Sequence, residues 1–143
     1  MKKDKEVYIF DTSALLTYIE DEEGSDEFES FLTRAEKGEL AIYVPFVSLT
    51  EIFYITMQEK DESEAMKRIN LIQSLAVKVI ESNEKLNVGA GRLKAKNRIS
   101  LADAYVAAIR EEYNGTLVHK DPEFEKVLPK MKEFRLPYKY RSV

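Results

Sequence analysis

The stretch VYIFDTSALL, residues 7 to 16, decides the fold, because a short apolar strand ends there on Asp11 and a helix-like run follows at once. Similar short apolar runs recur along the chain, at residues 41–44, 77–80 and 116–118, with a weaker candidate at residues 134–138. Longer segments with apolar residues at helical spacing separate these runs, as at Phe28, Phe31, Leu32 and Ala35. Strands that alternate with helices predict parallel strands joined by right-handed crossovers, and so an α/β sandwich with helices on both faces.

The length and composition indicate one globular domain that covers residues 1–143. Hydrophobic residues make up 44% of the chain and charged residues 34%, which is typical of a folded protein rather than a disordered one. No apolar run approaches the roughly 20 residues that a membrane-spanning helix requires, and the start of the chain lacks the apolar core of a signal peptide. We therefore expect a cytoplasmic protein with no membrane partner.

The near absence of soft metal ligands limits the chemistry open to this chain. It contains no cysteine and a single histidine, His119, which excludes disulfides, a cysteine nucleophile, thiolate zinc sites and multi-histidine sites within one chain. Any metal site must therefore use mainly oxygen ligands, which favours Mg²⁺ or Mn²⁺.

Charge is unevenly distributed along the chain, although the formal net charge of −4 argues against a strongly basic coat for nucleic acid. Residues 85–100 contain five basic and no acidic side chains, at Lys85, Arg92, Lys94, Lys96 and Arg98. The last four lie just ahead of Asp103, so they are candidates for binding an RNA backbone, and a solvated helix face explains them equally well.

Acidic residues mark both the predicted strand ends and the predicted helix starts. Asp11 ends the first strand, and Asp121 follows the fourth strand within a few residues. Glu51 and Asp103 each come three residues after a serine, Ser48 and Ser100, which predicts helices capped by those serines. Singly, the four acids are explained by helix caps and turns. Because parallel strands end at one edge of a sheet, we expect all four to meet there, where mutual repulsion requires a cation or raised pKa values.

Four segments of the chain resemble those of the PIN domain family of metal-dependent nucleases: YIFDTSALL, VSLTEIFYI, ISLADAYVAA and GTLVHKDPEF. They contain Asp11, Glu51, Asp103 and Asp121, respectively, and their order and spacing agree with the family pattern across the whole chain. The size and segment pattern are most similar to the VapC-type toxins of toxin–antitoxin pairs. One departure is His119, at a position where the family commonly has a small hydroxyl residue.

The resemblance implies a three-layer, PIN-like sandwich around a five-stranded parallel sheet, with the four acids as its catalytic quartet. The implied activity is Mg²⁺- or Mn²⁺-dependent hydrolysis of RNA that leaves a 5′-phosphate and a 3′-hydroxyl. We expect Asp11, Asp103 and Asp121 to bind metal directly, and Glu51 to bind it through water or to act as a base. The VapC-type resemblance further implies a small antitoxin protein as partner and a homodimer.

Several other residues near the quartet are candidates for supporting roles. Thr12 and Ser13 could hold an aspartate or a metal-bound water, although helix capping explains both as well. His119 could contact phosphate, or could simply end the fourth strand partly buried. Glu123 is a further candidate acid two residues beyond Asp121.

Other functions of the chain fit its residues less well. A haloacid dehalogenase-type phosphatase needs a second acid two residues after Asp11, where this chain has Ser13, and a receiver-like domain needs paired acids near its start. A non-catalytic PIN-like binding module would be expected to have lost a quartet acid. A housekeeping RNA-processing nuclease without an antitoxin is an alternative function that the sequence does not distinguish from a toxin. Tyr18 and Tyr54 could stack bases, but aromatic residues at helical spacing are more often core or interface.

Overall fold

The computed structural model describes residues 5–120 and 133–136, and the following elements lie in those ranges. The strands are β1 (Glu6–Phe10), β2 (Leu40–Pro45), β3 (Lys78–Ile80), β4 (Thr116–His119) and β5 (Glu133–Arg135). The helices are α1 (Thr12–Ile19), α2 (Ser25–Glu36), α3 (Phe46–Glu59), α4 (Glu62–Ser74), α5 (Glu84–Lys96) and α6 (Leu101–Glu112). Within the described part of the chain, none of these helices has the length and apolar content needed to cross a membrane.

The five strands form one sheet in the order β3-β2-β1-β4-β5, and each neighbouring pair is parallel. The predicted five-stranded parallel sheet is therefore confirmed. The chain runs outward from β1 through β2 to β3, and then crosses to the other side of β1 to form β4 and β5. The connections diverge at the carboxyl end of β1, between β1 and β4, where open α/β sheets place their ligands.

Helices cover both faces of the sheet, as predicted. Side chains alternate along a strand, so Phe10 and Ile9 of β1 point to opposite faces. Phe10 packs in an apolar cluster with side chains from α1 to α4, such as Phe28 and Ile52, whereas Ile9 packs in a second cluster with α5 and α6. The resulting three-layer sandwich fixes α1, α3 and α6 around the carboxyl edge of β1.

The predicted serine caps have different outcomes. Ser100 caps α6, since its Oγ accepts a hydrogen bond from the Asp103 backbone N–H at 3.0 Å. The prediction for Ser48 is wrong, because β2 runs directly into α3, which begins at Phe46 with Pro45 at the N-cap position and no side-chain cap. Ser48 is therefore inside the first turn, fully buried, and its hydroxyl finds no partner among the described residues.

The approach of β4 to β1 depends on a glycine that immediately precedes β4. A Cβ atom at Gly115 would lie 2.9 Å from Ile9 Cγ1, closer than real Cβ atoms come, and 3.2 Å from the Val7 carbonyl oxygen, which is tighter than most real Cβ contacts. Gly91, in the middle of α5, is different, because a Cβ built there meets nothing within 4 Å.

Alanine substitutions at these two glycines are expected to have opposite effects on stability. Gly115→Ala overpacks the β1–β4 contact and should lower the free energy of unfolding by about 1–3 kcal/mol. Gly91→Ala removes a helix-interior glycine and should raise it by about 0.5–1 kcal/mol. Chemical denaturation of both variants checks this, and a Gly115→Ala protein as stable as the parent would contradict the close approach.

Candidate active site

Asp11 connects the central strand to the first helix. It follows β1 directly, and its backbone N–H continues the pairing toward β4 by donating to the Val118 carbonyl oxygen at 3.3 Å. Its Oδ1 accepts hydrogen bonds from the Ala14 backbone N–H at 2.9 Å and the Ser13 hydroxyl at 2.7 Å. Asp11 is therefore the N-cap of α1, and it is buried, with only 5% of its surface exposed. Asp11 therefore caps α1 and also lines the cavity described below.

Ser13 joins the ends of β1 and β4. Its hydroxyl donates to Asp11 Oδ1 and accepts a hydrogen bond from the Lys120 backbone N–H at 2.8 Å. The Lys120 ammonium donates to the Glu23 carbonyl oxygen at 2.8 Å, in the turn between α1 and α2. Three hydrogen bonds thus connect the end of β1, the end of β4 and the turn before α2 at the edge of the sheet where Asp11 lies.

Three of the four predicted acids line one cavity of about 190 Å³ at this edge. Its walls consist of three carboxylates, two hydroxyls and two apolar side chains: Asp11, Glu51, Asp103, Thr12, Ser13, Leu16 and Val106. Asp121, the fourth predicted acid, and Glu123 lie outside the described residues. The sheet therefore brings together side chains that are 40 and 92 residues from Asp11 in sequence.

The second and third carboxylates reach the cavity from the N-terminal parts of two helices, Glu51 from the second turn of α3 and Asp103 from the first turn of α6. Glu51 projects from α3, and its Oε1 accepts a hydrogen bond from the Thr12 hydroxyl at 2.6 Å. This contact joins α3 to α1 across 39 residues. Glu51 therefore binds Thr12 on another helix and does not form the capping box with Ser48 that its spacing predicted. Asp103 projects from the first turn of α6, directly after the Ser100 cap.

The donor chemistry of this cavity fits a hard divalent cation. Carboxylate and hydroxyl oxygens are the hard ligands that Mg²⁺ and Mn²⁺ prefer. Within residues 5–120 and 133–136, no three His, Cys, Asp or Glu side chains already lie at metal-binding spacing. Those ranges exclude Asp121, so the described acids are a partial ligand set of the right type.

A comparison with protein-family models matches the PIN domain to residues 8–128. The chain belongs to the PIN domain family. The match covers most of the 143 residues and includes all four segments on which the resemblance rested. A comparison with curated proteins gave no match.

Solved structures similar to this PIN domain include toxin–antitoxin proteins from several organisms. VapBC2 from Rickettsia felis, bound to a DNA fragment from its promoter, aligns with a TM-score of 0.74 at 17% identity, covering 92% of this chain and 99% of that one. PAE2754 from Pyrobaculum aerophilum gives 0.66 at 20% identity, with 91% and 89% covered. The Mycobacterium tuberculosis toxin VapC20, which cleaves the sarcin–ricin loop, gives 0.62 at 14% identity, with 83% and 93% covered. These likenesses establish the fold.

The other predicted site residues of this PIN domain lie at varied distances from the cavity. Thr12 and Ser13 line it and hold Glu51 and Asp11, respectively. His119 is fully buried at the end of β4, where strand alternation places it on the Leu117 face, and it does not contribute to the described lining. The expectation of a partly buried ring was therefore wrong in degree.

The basic run ahead of Asp103 divides into two groups in this PIN domain. Lys94 donates from its ammonium to the Ile99 carbonyl oxygen at 2.9 Å, and so ties the end of α5 to the segment before α6. Arg92, Lys96 and Arg98 are exposed. Because Arg92 and Lys96 are four residues apart on α5, they share one face of that helix.

Sequence reasoning missed three residues that shape the site. Leu16 and Val106 form its apolar wall, and Lys120 anchors the adjoining strand end. Val106 lies three residues after Asp103 on α6, a spacing that places both on one side of a helix. The sequence therefore contained a signal for Val106, whereas the contact of Lys120 with Glu23 depends on tertiary packing.

Proposed function

We propose that this PIN domain is a metal-dependent endoribonuclease that hydrolyses RNA phosphodiester bonds. The observation that carries the proposal is the convergence of Asp11, Glu51 and Asp103 on one cavity at the carboxyl end of the central strand. A non-catalytic module has no need for three carboxylates in one cavity, of which Asp11 is only 5% exposed. Family membership and the fold favour the same activity.

Each described residue has a distinct role in this proposal. Asp11 and Asp103, together with Asp121, would bind Mg²⁺ or Mn²⁺ directly through carboxylate oxygens. The cation, when bound, would supply positive charge at the phosphate and a readily deprotonated water. Thr12 fixes the orientation of Glu51, which would then accept a proton from the attacking water or bind the cation through water. Ser13 keeps the Asp11 carboxylate in place against the end of β4.

A cleavage assay with pooled synthetic RNA, and a pooled single-stranded DNA of matched sequence, tests the reaction itself. We expect internal cleavage of RNA in Mg²⁺ or Mn²⁺, with 5′-phosphate and 3′-hydroxyl ends on mapping. Ends bearing a 2′,3′-cyclic phosphate would show attack by the ribose hydroxyl and would refute hydrolysis. A protein that cleaves neither pool would refute the proposed activity on single strands.

Thr12→Val is expected to lower the cleavage rate by about 10- to 100-fold, because partners that orient a metal ligand typically have effects of this size. Valine keeps the shape of threonine but leaves Glu51 Oε1 without the 2.6 Å hydrogen bond. Single-turnover kinetics measure the effect, and Thr33→Val, at an exposed position of α2 that lines neither the cavity nor the groove beside it, is the matched control. A Thr12→Val rate equal to that of the control would remove Thr12 from the site.

The exposed cations of α5 are proposed to bind the RNA backbone. Arg92→Ala combined with Lys96→Ala should weaken RNA binding and reduce the slope of log Kd against log salt by about 1–2. The control pair is Lys60→Ala with Lys67→Ala, which removes two charges at α3 and α4 on the opposite face of the sheet. Equal salt slopes for the two pairs would assign Arg92 and Lys96 to a solvated face.

We further propose that this nuclease is the toxin of a toxin–antitoxin pair, acting as a cytoplasmic homodimer. Solved relatives of the same fold are VapBC proteins, and their chains match this one nearly end to end. A neighbouring gene for a small protein with a DNA-binding domain would support the pairing, and co-expression should then yield a stable complex without nuclease activity. Absence of any such gene would favour a housekeeping RNA-processing nuclease.

A measurement of the protein's mass in solution tests whether it is a dimer.

A further inference from the structure

A second concave surface adjoins the acid cavity. This groove has a volume of about 410 Å³ and lies between the start of α3 and the start of α6. Glu51 lines both the groove and the acid cavity, so the two share a wall. Ser100, which caps the helix that holds Asp103, also lines the groove. A ligand bound among the acids would therefore extend directly into it.

The groove is lined mainly by aromatic and aliphatic side chains. Tyr54 and Leu101 are 46% and 57% exposed, so each presents apolar surface to the groove. Phe46 and Tyr105 form an edge-to-face pair, with ring centroids 5.0 Å apart. The Tyr105 hydroxyl donates to Asn87 Oδ1 at 2.6 Å, which holds the floor of the groove in position. The open faces of the groove are thus presented by Tyr54 and Leu101.

We propose that this groove is a base-binding subsite, in which a nucleobase next to the scissile phosphate stacks on Tyr54 and packs against Leu101. The inference rests on the proposed ribonuclease function. Its lining has aromatic and aliphatic surface for the face of a base, and the hydroxyls of Thr50 and Ser100 for a base edge. No Lys or Arg contributes to the described lining, so a backbone phosphate is a poor occupant.

Tyr18 and Tyr54, the two candidates for base stacking in the sequence, have different environments in the structure. Tyr18 is stacked on Phe28, with ring centroids 4.6 Å apart and planes 12° apart, and is therefore used by the core. Tyr54 lies on α3 one turn beyond Glu51, and nearly half of its side chain is exposed. Only Tyr54 of this pair has a ring face available beside the acids.

Binding of a fluorescent RNA that contains the mapped cut site tests this subsite, with Asp11→Asn as the background so that cleavage does not interfere. Tyr54→Leu in that background should weaken binding by about 5- to 150-fold, the range expected for one stacked base. Tyr54→Phe retains the ring and should bind as the parent does. Tyr113→Leu is the matched control, because Tyr113 is also partly exposed but lies at the far end of α6.

A set of RNAs with one abasic nucleotide at each position around the cut identifies the base. We expect the Tyr54→Leu defect to disappear at a single abasic position next to the scissile phosphate and to persist at all others. Equal binding by the Tyr54→Leu and parent proteins, or a defect that every abasic RNA shows equally, would overturn the subsite. A change in the mass of the assembly in solution on Tyr54→Leu would also overturn the subsite, because it would assign the groove to an interface between copies or with a protein partner.

The two proposals fail in distinguishable ways. If the otherwise unsubstituted protein neither cleaves nor binds RNA, both the ribonuclease function and the subsite are wrong. If it cleaves RNA and Tyr54→Leu does so with unchanged KM and unchanged preference among pooled sequences, only the subsite is wrong.

Discussion

Asp11→Asn is expected to reduce RNA cleavage by more than about 100-fold while leaving the fold intact. Even outer partners of metal ligands typically contribute 10- to 100-fold, so a direct ligand should contribute more. Asparagine keeps an oxygen that can accept from the Ala14 backbone N–H and from Ser13, and it is as good an N-cap as aspartate. The substitution therefore removes the negative charge with little change to the start of α1. Single-turnover cleavage and chemical denaturation, measured together, test both halves of this expectation.

The chain offers a closely matched control in Asp61→Asn. Asp61 is the N-cap of α4, and its Oδ1 accepts a hydrogen bond from the Glu64 backbone N–H at 2.8 Å, as Asp11 accepts from Ala14. The same chemical change at a second cap, away from the cavity, should leave cleavage unchanged. If Asp11→Asn cleaves RNA as fast as Asp61→Asn does, Asp11 has no catalytic role.

Removal of divalent cations is expected to stop cleavage completely, and addition of Mg²⁺ or Mn²⁺ should restore it. The physical reason is that three carboxylates share one cavity, so their charges favour occupancy by a cation and cannot by themselves activate a phosphate. Cleavage that continues in excess EDTA would contradict the mechanism.

A stability measurement tests cation binding independently of cleavage. A ligand that binds only the folded state stabilises it by about 2.7 kcal/mol at a concentration 100 times its Kd. We therefore expect Tm to rise with Mg²⁺ or Mn²⁺ for the parent protein and for Asp61→Asn, and to rise much less for Asp11→Asn. An identical rise in all three proteins would indicate that the cation binds elsewhere.

Much of the fold could be predicted because its strands are short, apolar and regularly separated by helical patterns. The first residues of β1, β2, β3 and β4 fall within one residue of the predicted runs. The start of α3 was mispredicted because Ser48 followed by Glu51 has the spacing of a capping box, whereas direct continuation of β2 through Pro45 places the helix start at Phe46. Local spacing alone does not reveal where a strand passes into a helix without a loop.

The site was predictable to the extent that sheet topology determines it. Strand ends and helix starts meet at one edge, which is why Asp11, Glu51 and Asp103 were expected together and are found lining one cavity. The groove beside them was not predictable, since it depends on how far α3 lies from α6 and on which face of α3 presents Tyr54. The same holds for the hydrogen bond between Thr12 and Glu51, which joins residues on separate helices.

The contact between Ser13 and Lys120 has a consequence for how the protein is made. It joins residues 107 positions apart, and β4 must pair with β1 before the contact can form. The loop that such a contact closes must be ordered before the contact can stabilise the fold. A nascent chain that has not yet extended through α6 and β4 has Asp11 and Glu51 but lacks the Asp103 wall of the cavity. The cavity is therefore assembled only on chains whose synthesis has passed β4.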